Sequence, residues 1–230
     1  MKTLTIAAAA AALALAACTP ATAPSAPAEA AIPITAPSGE YSIDSTHAVV
    51  TVKVRHFGVS TYPLRFDRTA GTLNFNAEDP ALSTVTATVD ISSLNTAFNQ
   101  LAADARGDRD FNAELVNSDW LDAAQFPAAT FTSTSAERTG PNTGRVTGDL
   151  TIKGVTHPAT FDVTYIGSHA QHPVGAPISL IGFRANATIS RSAYGVSLYP
   201  ETGAGSGDGL GDNVELEINV EFTRPIQAEQ

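Results

Sequence analysis

GDLTIKGVTHPATFDVTYI, the stretch from Gly148 to Ile166, decides the fold class of this chain. In its first arm Leu150 and Ile152 alternate with Asp149, Thr151 and Lys153, and in its second Ala159, Phe161, Val163 and Tyr165 alternate with Thr160, Asp162 and Thr164. Alternation with period two puts one set of side chains on each face of a half-buried strand. Gly154 to Pro158 reads as a five-residue connection, with Gly for an unusual backbone angle and Pro where no ladder donor is needed. The expectation is a hairpin with one apolar face, and the question is what that face looks onto.

The same period recurs on both sides of the hairpin. Ala48, Val50, Val52, Val54 and His56 share one face of an early strand, and Val85, Ala87, Val89 and Ile91 share one face of another. Further strands are predicted over 129–133, 180–189 and 213–222, the last reading VELEINVEF from Val214. About eight strands at this spacing, joined by turn residues, imply an all-β antiparallel sandwich or barrel. A barrel of about eight strands can enclose one small ligand. The stretch 96–122 lacks the alternation and sets Leu101, Ala102, Ala105, Phe111, Leu115 and Leu121 among charges, which predicts one or two short helices lying across the barrel.

The chain carries a net charge of -10 with 13 scattered Lys and Arg, which excludes the concentrated basic surface that nucleic acid requires. Lys2 precedes a small apolar run from Leu4 to Ala17, too short for a membrane span but sized for a signal-peptide core. It ends in Leu15-Ala16-Ala17-Cys18, which resembles the cleavage box of bacterial lipoproteins and implies an acylated Cys18. Cys18 is the only cysteine, so no disulfide forms within the chain. The expected division is a signal peptide over 1–17, a Pro- and Ala-rich spacer over 18–38, a barrel domain over 39–225 and a tail over 226–230. The expected location is the periplasmic face of a membrane, with Thr19 after the cysteine leaning toward the outer one.

Several ordered motifs together resemble the YceI-like family, also described as polyisoprenoid-binding or lipid-binding-like. Tyr41-Ser42-Ile43-Asp44, His47 and His56-Phe57-Gly58 are similar to its opening, and Trp120-Leu121-Asp122, Pro127 and Phe131-Thr132-Ser133 to its middle. The hairpin motif matches its Gly-Asp-Leu-Thr-x-x-Gly-Val-Thr-x-Pro signature, and Gly182-Phe183 with Ser190-Arg191-Ser192-Ala193-Tyr194-Gly195 is similar to its closing elements. Two departures stand out: Asn112-Ala113-Glu114-Leu115 replaces the usual Asp-x-His-Leu, and Ala193 stands where an Asp is usual. The first brings the chain closer to a subgroup found with cytochrome b561-type membrane proteins. The resemblance implies a lipocalin-like extended antiparallel β-barrel around a long isoprenoid, such as a polyprenyl phosphate or a quinone.

Face alternation nominates the cavity wall. Val52, Val54 and His56 come from the first strand, and Phe75, Val89 and Phe131 from those that follow. Ile152, Phe161, Phe183 and Ile218 come from the second half of the chain. Arg55, Arg106 and Arg109 are the candidate rim for a polar head, and a structural role for His56 competes with a ligand contact. His47 and Asp44 read as a turn network. His169 and His172 have chelating spacing but no third ligand nearby, and the Gly203–Gly211 run lacks the Lys-Ser/Thr ending of a phosphate loop. With no cofactor, metal or catalytic motif to build on, the expectation is a noncatalytic lipid carrier. The alternative is a side-chain-packed barrel that acts as a stress-response module or partners a membrane redox protein, and cavity volume separates the two.

Overall fold

The alternating stretches pair into one antiparallel sheet that closes on itself, in a computed structural model whose described residues are 30–97 and 109–226. The strands in chain order are β1 Gly39–His56, β2 Ser60–Phe66, β3 Thr69–Phe75, β4 Thr84–Asp90 and β5 Leu94–Asn95, then β6 Ala128–Arg138, β7 Thr143–Ile152, β8 Val155–His169, β9 Ile178–Ser190 and β10 Leu210–Pro225. Around the ring the order is β1, β10, β9, β8, β7, β6, β4, β3 and back to β1, an eight-strand barrel. Closure pairs the strand edges that an open sheet would leave bare. β1 is long enough to serve two neighbours on its other side: Gly39–Ser42 pairs with β3, and Val50–His56 pairs with β2, which carries β5 outside it. Between these halves the register against β10 jumps from Ile43↔Phe222 to Ala48↔Val220. The extra residues bend the strand, and its second half leaves β3 to take up β2.

The Gly148–Ile166 hairpin forms, with a shorter connection than expected. β7 and β8 pair from Ile152↔Val155 onward, so only Lys153 and Gly154 make the turn, both with positive φ (49° and 75°). A two-residue turn of that hand follows the twist of the flanking strands. Pro158 therefore lies inside β8, opposite Asp149. Inward-facing Gly148 leaves room for Phe131: a Cβ there would fall 2.6 Å from the Phe131 ring and 2.3 Å from the Thr132 carbonyl oxygen.

Among its described residues the segment without alternation contributes a five-residue helix, α1 Phe111–Leu115, capped by Asp110, whose side chain accepts from the Ala113 amide. Residues 98–108, with Arg106 among them, lie outside the described residues, as do the signal region and Cys18. α1, the β7–β8 turn and the 3-10 turn Ser192–Tyr194 mark one end of the barrel, the helix end. The other, the strap end, takes its name from residues 30–38. These belong to the stretch expected to be a spacer, yet from Ala30 on they lie against the barrel. Asn142 Oδ1 accepts from the Ile32 amide at 2.7 Å, and Ser168 Oγ accepts from the amides of Thr35 and Ala36 at 2.9 and 3.0 Å. Ala36 is buried.

Candidate ligand cavity

Inward side chains of alternating strands leave a cavity of about 910 Å³ along the barrel interior. It reaches from Ile32, Ile34 and Asn142 at the strap end to Tyr62, Phe111 and Tyr199 at the helix end. That volume falls within the range of about 300–1,000 Å³ typical of ligand sites. Small residues, Ala87, Ala129, Ala185 and Gly144, leave room along the wall, while Phe131 and Phe161 meet edge to face at 5.1 Å and Phe183 meets Tyr165 at 5.9 Å. The middle of the wall is aliphatic and aromatic. Among the described residues, charged side chains line it only toward the ends: Glu137, Arg138 and Arg145 at the strap end, and Arg109, Glu114 and Arg191 at the helix end.

The residues nominated by face alternation fall on this wall. Val52, Val54, His56, Phe75, Val89 and Phe131 line it, as do Ile152, Phe161, Phe183 and Ile218. His56 is exposed at the mouth, edge-on to Phe57 at 4.8 Å, rather than held in the core. The nominated rim divides. Arg55 points out of the barrel and pairs with Glu201, because it follows the outward face of β1. Arg109 does line the helix end, where both of its arms bind Glu114 at 2.8 Å and its guanidinium lies 4.9 Å from the Phe111 ring centre. Arg106 lies outside the described residues.

The structure adds wall residues that face alternation did not nominate. Ile32 and Ile34 reach the cavity from the strap, and their Ile-x-Ile spacing inside a Pro- and Ala-rich stretch is the signal that could have marked them. Arg191, Tyr194 and Trp120 line the helix end. Burial raises the Tyr194 hydroxyl above the usual tyrosine pKa, and it does the same to Tyr165, whose hydroxyl binds Ser168 Oγ at 2.7 Å. Burial lowers the Arg191 pKa from its ordinary value, while Asp212 and Glu201 at longer range oppose that shift.

Outside the barrel, Asp44 and His47 form the expected turn network. Asp44 Oδ1 accepts from the Thr46 amide and hydroxyl, and Asp44 Oδ2 lies 2.9 Å from His47 Nδ1. These bonds hold the Asp44 carboxyl down to about 2, and the carboxylates of Asp44 and Glu221 raise His47. Among the described residues these three are the group whose ligand-type atoms lie within 4.8 Å of one another. His169 and His172 belong to no such group there.

The YceI-like domain model matches residues 41–222, all but the outermost residues of the barrel. The chain belongs to the YceI-like family. Among curated relatives, a UPF0312 protein of Pseudomonas putida is 31% identical over 186 residues, 80% of this chain and 86% of its own length. A UPF0312 protein of Shewanella sp. strain ANA-3 is 32% identical over 195 residues, covering 84% and 91%. Among solved structures, Burkholderia cenocepacia BcnA superposes with a TM-score of 0.61 at 26% identity, over 78% of this chain and 98% of its own. A polyisoprenoid binding domain from Saccharophagus degradans superposes at 0.55 with 13% identity, over 80% and 98%, a likeness of fold. The family's barrel is therefore the frame in which the cavity of this chain sits.

Proposed function

We propose that this protein is a noncatalytic carrier that holds a long apolar molecule, an isoprenoid lipid or quinone, inside its barrel. The observation that carries the reading is the continuous apolar cavity of about 910 Å³. A barrel filled with side chains to ordinary interior density has no such space, so the packed, partner-only alternative has less support. The Saccharophagus degradans neighbour is a polyisoprenoid binding domain, and it adds to the reading through shared fold alone. Each methylene moved from water into this wall contributes about 0.8 kcal/mol, so affinity grows with chain length until the cavity is full. In this account acylated Cys18 holds the carrier on the periplasmic side of the outer membrane, where a membrane redox protein could exchange a quinone with it.

Trp120, the single tryptophan, lines the cavity and serves as its reporter. Titrating the detergent-solubilised full chain with a quinone is expected to quench its fluorescence saturably at one molecule per chain. No saturable change with quinone or with any long prenol would overturn the carrier reading.

A further inference from the structure

Where β1 passes from β3 to β2, its residues 44–47 stand against the single residue Glu221 of β10, because the register runs from Ile43↔Phe222 directly to Ala48↔Val220. Extra residues set against one partner make a bulge, which re-aims the side chains it carries. Here Asp44 and His47 are brought to Glu221, so that one imidazole nitrogen and two carboxylate oxygens lie within 4.8 Å of one another. The neighbours Ile43, Val220 and Phe222 line the cavity, which leaves this group on the outer face of the barrel.

The two carboxylates lack a permanent cation. Among the described residues no Lys or Arg forms an ion pair with Asp44 or Glu221, and His47 is the group that acts on both. Asp44 Oδ1 accepts from the Thr46 amide and hydroxyl, which fixes the carboxylate and leaves Oδ2 facing His47 Nδ1 at 2.9 Å. The Thr46 hydroxyl lies 3.1 Å from the same nitrogen. The Glu221 carboxylate makes no hydrogen bond among the described residues. Its partner position on β9 is Gly182, so no side chain covers it from that strand. Two negative charges this close repel each other, and a cation between them offsets the repulsion.

We propose that Asp44, His47 and Glu221 form a surface site for a divalent transition-metal ion of the Zn2+ class. Three protein ligands and one water make up the four-coordinate shell that Zn2+ takes, at about 2.0–2.2 Å from each donor. The ion replaces the proton between His47 and Asp44, which leaves to solvent. Glu221 has no hydrogen bond to give up as its side chain closes on the ion. The imidazole selects the metal: Ca2+ and Mg2+ take oxygen ligands, whereas imidazole suits Zn2+ and its first-row neighbours. Once bound, the ion staples the bulge of β1 to β10 at the point where β1 changes partners. The site lies outside the cavity and does not depend on the carrier reading.

The test is calorimetric titration of the metal-stripped full chain in detergent with ZnCl2, CaCl2 and MgCl2. Wild type is expected to take Zn2+ at this site about tenfold or more tighter than Ca2+ or Mg2+. Glu221→Gln and His47→Gln should each weaken Zn2+ by about tenfold or more. Glu221→Gln removes no protein hydrogen bond, so its fold is expected to stand. His169→Gln with His172→Gln, which removes the other imidazoles at chelating spacing, should leave Zn2+ affinity unchanged. Added Zn2+ should raise the denaturation midpoint of wild type and not that of Glu221→Gln. The assignment is overturned if wild type shows no saturable Zn2+ binding, or if either single variant keeps wild-type affinity. It is overturned equally if binding is lost with His169 and His172 instead, or if Zn2+ moves both midpoints alike. Ca2+ binding as tight as Zn2+ would also contradict it, as the mark of an acidic surface that attracts any divalent ion.

Discussion

The two ends of the barrel are closed by different means. At the helix end the cover is part of the core: Phe66, Ile91, Leu94 and Leu115 form a buried cluster beneath α1, and Arg191 ties four carbonyls of the 196–211 segment together. At the strap end Tyr41, Phe75, Ile181 and Phe222 fill part of the cross-section, and the remaining cover is the strap, with Ile32 and Ile34 each 37% exposed. That cover is held by a few hydrogen bonds to Asn142, Ser168 and Tyr165. A buried cluster opens only with the fold, whereas a half-exposed strap opens at the cost of a few hydrogen bonds. In the carrier reading this difference makes the strap end the candidate for ligand exchange.

Removing apolar volume from the helix end should have the largest effect. Leu115→Ala is expected to cost about 2–5 kcal/mol, read as a lowered denaturation midpoint. A loss well under 1 kcal/mol would make the helix end as loose as the strap and erase the contrast. At the strap end, Ser168→Ala leaves the amides of Thr35 and Ala36 and the Tyr165 hydroxyl short of their shared partner. It should cost about 1–3 kcal/mol and also speed ligand release in stopped-flow measurements. Ile32→Ser with Ile34→Ser sharpens the comparison further, since both side chains are half exposed. Stability should change by about 1 kcal/mol or less while release quickens, and an unchanged release rate would place ligand exchange elsewhere.

The smallest effect belongs to neither end. Asp44 and His47 sit in the bulge where β1 passes from β3 to β2. The depressed Asp44 carboxyl favours the folded state above the ordinary carboxylate range, and that contribution is lost as pH falls through about 2. His47 shifts the other way. Its contribution is complete below the ordinary histidine pKa and disappears as pH rises through the raised folded value. NMR titration should give a His47 midpoint above the usual histidine range, and Asp44→Asn should lower it. Stability should change little, because His47 is exposed.

How much of this is legible in the sequence depends on the kind of signal. Strands whose inward residues are Val, Ile, Leu and Phe announce themselves by period two, and the same alternation puts all ten nominated residues on the cavity wall. The β7–β8 turn reads as longer than it is because Lys153 takes a left-handed conformation without the Asn-Gly or Asp-Gly pair that usually marks such turns. Arg55 reads as a rim residue when proximity to a strand end outweighs its outward face, and the outward face prevails. The strap is hidden by composition, since prolines and alanines read as a spacer even where Ile32 and Ile34 alternate. Arg191 and Tyr194 are visible as a motif, but their burial on the cavity wall is a three-dimensional fact that no spacing encodes.

The central claim is that the space between these two ends holds a long apolar molecule. Mass spectrometry of lipid extracted from the purified full chain, after exhaustive washing, tests it most directly. The account predicts one isoprenoid per chain, reduced by Phe161→Ala, which alters the wall midway between the ends. Recovery of no stoichiometric apolar molecule, together with failure to load an added polyprenol or quinone, would contradict it.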